Sequence, residues 1–147
     1  MSKAYSRALG YLTIRSRTVK EITDYLARKG FSETETQETV SKLLEVGLLD
    51  DSTTARQWVE YWLACKPLGR DRMRLELQRR GVGRDIIDDI LSAIDNETEL
   101  ELATAFLAPR PVHQWTREKT YRFLRYRGFS HAVIERIIFQ QENLTQG

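Results

Sequence analysis

Residue types that carry catalysis or bind metals are few in this 147-residue chain, and they are scattered. His113 and His131 lack the spacing of metal ligands, so we expect both on the surface. Cys65 is the single cysteine, which excludes an internal disulfide, and we expect a partly buried thiol on a helix. Asp50 and Asp51 could act as an acid–base pair, but their position favours helix capping. The sequence therefore predicts no enzyme, no metal and no cofactor.

Basic residues are more informative, because they recur at helical spacing. On a helix over residues 70–80, Met73 and Leu77 lie about 40° apart at 100° per residue and define a buried side. Arg72 and Arg79 are seven residues apart and share a stripe away from that side. A similar run of cations occupies residues 117–127 near the end of the chain.

Two interpretations of these cations stay open. One is a solvated helix face with local ion pairs, such as Arg72 with Glu76. The other is an electropositive binding face, whose partner could be nucleic acid or an acidic groove of a protein. Aromatic residues alternate with cations over residues 121–126 and could stack on the bases of a single strand. Packing of these rings between helices is the interpretation we favour.

Charge alternates along the chain with a period near 50 residues, although the net charge is only +2. Counting from the N-terminus, successive blocks carry +5, −5, +5, −7 and +5. The blocks are residues 1–31, 32–52, 53–84, 85–101 and 102–136. This periodicity indicates an internal repeat.

Three similar segments, each with a glycine in its fifth position, mark the repeat. They read LARKGF at 26–31, LQRRGV at 77–82 and LRYRGF at 124–129. Gly30, Gly81 and Gly128 suit the left-handed residue just past a helix end. Upstream, TVKE at 18–21 is typical of a capping box that opens a helix. Gly47 is expected to end the third helix of the first unit.

Apolar residues around each glycine recur at helical spacing, and each unit has an earlier amphipathic run. This pattern predicts three helices per unit and nine in all, without strands. The fold class is therefore all-α, with three tandem three-helix repeats at 1–50, 51–96 and 97–147 in an elongated, curved array. Thr36 and Thr39 stand where the other units have isoleucine, so we expect the last helix of the first repeat to pack more loosely.

Three segments in order resemble the RecX family of bacterial recombination regulators. The strongest is GRDRMRLELQRRGV at 69–82, which is similar to the family's Gly-x-x-Arg-apolar-x-x-Glu-Leu segment ending in a basic residue and glycine. GLLDD at 47–51 resembles the entry to the family's middle unit, and RFLRYRGF at 122–129 resembles its closing repeat. The resemblance extends from about residue 4 to residue 139.

The resemblance implies a non-enzymatic modulator of the RecA recombinase. Family members bind the RecA filament on single-stranded DNA along its groove and typically inhibit ATP hydrolysis, strand exchange and co-protease activity. We expect a long row of helices to bridge filament subunits through several weak charged contacts. The candidate contact residues are Arg72 and Arg79 first, then Arg70, Arg74 and Arg80, with Lys119 and Arg125 in the last unit.

Two rival functions remain at this point: a module that binds single-stranded nucleic acid without RecA, and an adaptor for another acidic protein. Single-stranded DNA would be contacted through the filament by a RecA regulator, and directly by the rival nucleic-acid-binding module. No stretch approaches the ~20 apolar residues that span a bilayer, and no signal-peptide core follows the N-terminus. Together with the single cysteine, this predicts a cytoplasmic protein with no membrane partner. We expect a monomer, because no exposed heptad seam is evident.

Overall fold

The computed structural model describes residues 2–146, with side chains through residue 144. Over that range the chain forms nine α-helices and no strand, as predicted. The helices are α1 Lys3–Ile14, α2 Val19–Arg28, α3 Glu33–Glu45, α4 Asp51–Ala64, α5 Arg70–Arg79, α6 Arg84–Leu91, α7 Asn96–Leu107, α8 Arg117–Tyr126 and α9 His131–Gln146. A single 3-10 turn, Val112–Gln114, precedes α8.

The chain divides into two compact units, each built from two stretches of sequence. Unit 1 contains Met1–Gln57 and Leu77–Ile87, and unit 2 contains Trp58–Glu76 and Asp88–Gly147. The repeat boundaries at residues 50 and 96 stay a prediction.

The core of unit 1 follows the predicted amphipathic runs. Ala4 and Ala8 on α1 pack with Ile22 and Leu26 on α2, and all four are fully buried. The small alanine side chains let α1 approach the larger residues of α2 closely. Thr36 and Thr39 on α3 are also buried, so hydroxyl-bearing side chains occupy the inward positions of that helix. Looser packing of α3 stays a prediction.

The core of unit 2 is larger and more apolar. Its buried side chains come from α7, the 3-10 turn, α8, the turn after α8, and α9. Phe129, Val133 and Ile134 are fully buried in this cluster, as is Leu124 on α8. The buried residues of this core include Leu100, Ala103, Leu107, Leu124, Phe129, Val133, Ile134, Ile137 and Ile138.

Side chains cap the helices where the sequence indicates. The Thr18 hydroxyl accepts a hydrogen bond from the Glu21 N–H, and the Glu21 carboxylate accepts one from the Thr18 N–H. Asp50 Oδ1 accepts from Ser52 N at 3.0 Å and so opens α4. Asp51 accepts from Val19 N at 2.8 Å instead. Burial raises the pKa of Asp51 above its ordinary value, in spite of that hydrogen bond.

The predicted left-handed glycines are confirmed, with φ angles of 88° at Gly30, 85° at Gly81 and 90° at Gly128. Gly47, which follows the end of α3, has a φ angle of 79°. Each of these glycines follows the last turn of a helix and adopts the left-handed conformation that ends it. The helix ends are therefore set by local sequence.

The prediction of a partly buried thiol on a helix at Cys65 is wrong. Helix α4 ends at Ala64, and Cys65 lies exposed in the turn that follows. Pro67 accounts for the early end, because a proline disfavours helical backbone at the residue before it.

In unit 2, the start of α5 lies directly on the glycine turn after α8. The Gly69 N–H donates to the Arg127 carbonyl at 2.8 Å, and the Asp71 N–H donates to the Gly128 carbonyl at 3.1 Å. Gly69 is buried, and a side-chain carbon there would overlap the backbone of Gly128 and Phe129. Only glycine at residue 69 allows the two backbones to approach this closely.

Unit 1 contains an equivalent contact between the start of α2 and the glycine turn after α5. The Thr18 hydroxyl donates to the Arg80 carbonyl, and the Lys20 side chain lies against Gly81. In the repeat alignment Thr18 and Gly69 occupy the same position, directly before the second helix of a repeat. We call this arrangement, in either unit, the start-on-turn contact.

We expect Gly69→Ala to lower the free energy of unfolding by about 3 kcal/mol, because the added methyl group meets backbone that cannot yield. Gly10→Ala is the matched control, since Gly10 lies inside α1 with no atom within 4 Å of the added carbon. That variant should gain about 0.5–1 kcal/mol. Urea unfolding followed by circular dichroism measures both changes. Equal midpoints for Gly69→Ala and the parent protein would contradict the close contact.

Candidate partner-binding surface

Arg70 is held by internal contacts of unit 2. Its Nε bonds the carboxylate of Glu99, which is 0% exposed, and its Nη1 donates to the Ile94 carbonyl at 3.0 Å. Its Nη2 bonds the side chain of Asn96. Glu99 also accepts a hydrogen bond from the Ser130 N–H, so one buried carboxylate joins α5, α7 and the start of α9. The structure gives Arg70 a stabilising role, and contact with a partner stays a prediction.

Arg72 and Arg74 form ion pairs at the surface of unit 2. Arg72 Nε lies 3.0 Å from Glu76 Oε1, which is the local pair suggested by the sequence. Arg74 Nη1 lies 2.6 Å from Asp88 Oδ1. Both guanidinium groups keep part of their surface in solvent. Exposed pairs of this kind contribute only about 0–1 kcal/mol, so a partner can displace them at low cost.

Arg125 and Lys119 lie on α8. Arg125 Nη1 donates to Asp71 Oδ2 at 2.8 Å and to the Phe129 carbonyl at 2.9 Å, so it also braces the start-on-turn contact of unit 2. Lys119 is exposed, with its Nζ 4.7 Å from the centroid of the Trp115 ring. Both cations remain accessible to a partner.

Arg79 and Arg80 belong to unit 1. Arg79 is exposed and Arg80 is half-buried. The structure therefore places five of the seven candidate cations in unit 2 and two in unit 1. It brings Arg72 and Arg125 together within unit 2, because the start-on-turn contact joins α5 to the end of α8.

Two further arginines in unit 2, Arg110 and Arg127, lie against the same aromatic ring. The guanidinium carbons of Arg110 and Arg127 lie 4.1 and 4.8 Å from the centroid of the Phe106 ring. Arg127 Nη2 donates to the Pro67 carbonyl at 2.9 Å, and its buried Nε has no hydrogen-bond partner among the described residues. Burial, followed by the nearby guanidinium groups of Arg110 and Arg72, lowers the pKa of Arg127.

Sequence reasoning missed Arg110 as a binding residue and did not select Arg127. Arg110 stands between two prolines, outside any helical spacing that could mark it. Arg127 precedes Gly128 in the aligned segment, and this position is basic in all three repeats. That signal was available, but it is equally expected of a cation that stabilises a helix end.

The aromatic residues near these cations mostly pack inside unit 2. Phe106 and Phe123 stack with centroids 5.4 Å apart, and Trp115 meets Phe123 edge-on at 5.0 Å. Tyr126 differs, because it is 74% exposed and lies 5.7 Å from the Arg72 guanidinium carbon. Packing is confirmed for Phe123, whereas Tyr126 presents a ring to solvent.

The residues considered for catalysis do not converge. His113 is exposed, and His131 is exposed with its Nδ1 3.1 Å from the Tyr121 hydroxyl. Among residues that the structure describes, no three histidine, cysteine or acidic side chains are grouped so that they could hold a metal ion. A separate search of those residues finds no helix with the length and apolar character needed to cross a bilayer.

Family models, solved structures and sequence relatives all point to the same protein family. A family model described as the first three-helix domain of RecX matches residues 4–43, and one described as its second three-helix domain matches residues 50–91. Two solved structures are similar across most of the chain. The crystal structure of RecX from Lactobacillus salivarius has a TM-score of 0.81 at 28% identity and covers 97% of this chain and 96% of that one. A second, of regulatory protein RecX, has a TM-score of 0.80 at 31% identity and covers 92% and 71%.

Sequence relatives agree with the structures. Regulatory protein RecX of Chlorobium phaeobacteroides (strain BS1) is 35% identical over 136 residues, covering 90% of each chain. Regulatory protein RecX of Prosthecochloris aestuarii (strain DSM 271 / SK 413) is 32% identical over 138 residues, covering 92% of this chain and 91% of its own. The chain is thus an all-α protein of tandem three-helix domains, as its sequence predicted. It belongs to the RecX family of regulatory proteins.

We expect Arg70→Ala to lower the free energy of unfolding by about 3 kcal/mol, because the charge of Glu99 would remain buried without its partner. Arg122→Ala is the control, since Arg122 is exposed and forms no ion pair with the described residues. That change should stay within about 0.5 kcal/mol. Urea denaturation measures both, and an unchanged midpoint for Arg70→Ala would contradict the internal role.

Proposed function

We propose that this protein regulates the RecA recombinase by binding along the groove of the RecA filament on single-stranded DNA. Bound there, it lowers ATP hydrolysis, strand exchange and co-protease activity. Membership of the RecX family supports RecA as the partner. The protein acts through binding, and its histidines and cysteine take no part in chemistry.

The observation that carries the proposal is the state of the surface cations in unit 2. Arg74 and Arg125 are held by exposed ion pairs and Arg72 by a half-buried one, whereas Arg70 is paired with the fully buried carboxylate of Glu99. Exposed pairs exchange readily for carboxylates of another protein, because each is worth only about 0–1 kcal/mol. Several such exchanges add along a repetitive partner, so affinity arises from number rather than from one deep pocket.

The direct test is the single-strand-dependent ATPase of RecA, measured while the concentration of this protein is raised. We expect the rate to fall as the filament binding sites fill. An unchanged rate at a several-fold excess over those sites would remove RecA regulation as the function.

The contribution of the first-ranked cations is tested by Arg72→Gln combined with Arg79→Gln. We expect the concentration for half-inhibition to rise about tenfold, which corresponds to about 1.4 kcal/mol of binding free energy. Lys42→Gln combined with Arg56→Gln removes the same charge from other exposed positions and serves as the control. Circular dichroism shows whether helicity is kept. Equal inhibition by the two double variants would show that Arg72 and Arg79 do not contribute to binding RecA.

A second function is direct binding of single-stranded nucleic acid, and the exposed ring of Tyr126 favours it. An accessible aromatic ring beside Arg72 can stack on a base, while Arg110 and Arg127 supply nearby positive charge. Fluorescence anisotropy of a labelled oligothymidine without RecA tests this function. Tight binding that weakens steeply with salt and is lost in Tyr126→Ala would favour it over binding through RecA.

A further inference from the structure

One surface of the start-on-turn contact is left uncovered in unit 1. Gly30 belongs to the same glycine series as Gly81 and Gly128, but no described atom lies within 4 Å of a side-chain carbon added there. Phe31, which follows Gly30, is only half-buried. Val82, at the same position after Gly81, is 5% exposed. The Gly30 turn thus has the shape of the other two turns without the helix start that covers them.

The matching surface is left uncovered at the start of α8. Thr116 caps α8 by accepting the Lys119 N–H at 3.1 Å, just as Thr18 caps α2. The Thr18 hydroxyl also donates to the Arg80 carbonyl of the glycine turn. Thr116 is exposed, and within the described range its hydroxyl donates to no acceptor. The start of α8 therefore has the groups that make a start-on-turn contact and no turn to receive them.

We propose that the start of α8 in one copy of this protein binds the Gly30 turn of a second copy, as a start-on-turn contact between molecules. A second copy is the fitting occupant because this interface continues the one that the chain already forms twice, and both of its halves lie exposed on the same chain. The two surfaces differ, so the contact is heterologous, and each copy carries one of each.

The proposed contact has one of the two charged side chains that pair across the start-on-turn contact of unit 2. In unit 2 the Arg125 guanidinium pairs with Asp71 across the start-on-turn contact at 2.8 Å. The equivalent positions between two copies are Ala27 on α2 and Glu118 on α8, both exposed. The carboxylate is present and its cation is absent. We therefore expect association between copies to be weak and to strengthen when the cation is supplied.

An apolar groove beside the Gly30 turn adds surface that a second copy would cover. It lies between α2 and α3, has a volume of about 660 Å³, and includes Ala27, Phe31 and Val40 in its lining. The corresponding groove of the second repeat has about 350 Å³ and is bordered by the ion pair of Arg74 with Asp88. The first repeat has uncharged residues at those two positions, so its groove is open and apolar.

Directional cross-linking tests the contact. In a Cys65→Ser background, one protein carries Ala27→Cys and another carries Glu118→Cys, and the two are mixed under mild oxidation. We expect a heterodimer in several-fold higher yield than from Ala27→Cys mixed with Glu101→Cys, which replaces an exposed acidic residue on α7. Equal yields from the two mixtures would overturn the proposal.

Charge variants test the same contact without a covalent bond. Ala27→Arg supplies the missing guanidinium, and we expect the self-association constant from sedimentation equilibrium to rise at least threefold. Ala27→Glu should lower it, and adding Glu118→Arg to Ala27→Glu should restore it. Ala132→Arg, on an exposed face of α9, adds the same charge elsewhere and should leave association unchanged.

The substitutions lie on exposed helix positions, so the variants are expected to fold. Identical association of Ala27→Arg and Ala27→Glu would overturn the proposal, as would a strictly monomeric state of all variants. RecA takes no part in either measurement, and failure here would therefore be distinct from failure of the proposed regulatory function.

Discussion

The backbone contact between Gly69 and the turn at Gly128 is the constraint on which the rest of unit 2 depends. Two main-chain hydrogen bonds join these segments, and neither segment has a side-chain carbon between them. This contact fixes the start of α5 against the end of α8. Arg72, Arg125 and Arg127 come together for that reason, although more than 50 positions separate the first from the others. The positive surface of unit 2 is therefore a product of close backbone packing.

The ion pairs of unit 2 are of two kinds, which differ in how deeply the carboxylate is buried. The Arg70–Glu99 pair joins three helices through a carboxylate that is fully buried, so it stabilises the fold. The pairs at Arg72 and Arg125 remain in contact with water and contribute little to stability. Residues that look equivalent along one basic helix thus divide into a structural member and exchangeable members. Exchangeable ion pairs suit the proposed binding to a repetitive filament.

Much of the fold could be predicted from sequence because its signals are local. The capping box at Thr18, the left-handed glycines and the apolar spacing each act within a few residues, and all were found as expected. Contacts between distant segments could not be predicted. Nothing near Arg70 in sequence indicates Glu99, and nothing near Arg110 indicates the Phe106 ring. The partly buried helical thiol that the sequence predicts at Cys65 is wrong, because α4 ends at Ala64 and the thiol lies exposed in the turn before Pro67.

The exposed turn that holds Cys65 has a practical consequence. Because this thiol is the single one in the chain and lies outside both cores, a maleimide fluorophore would attach at one known place with unit stoichiometry. The native protein can therefore be labelled without mutagenesis. A dye at that position would allow the proposed binding to individual RecA filaments to be followed by single-molecule imaging.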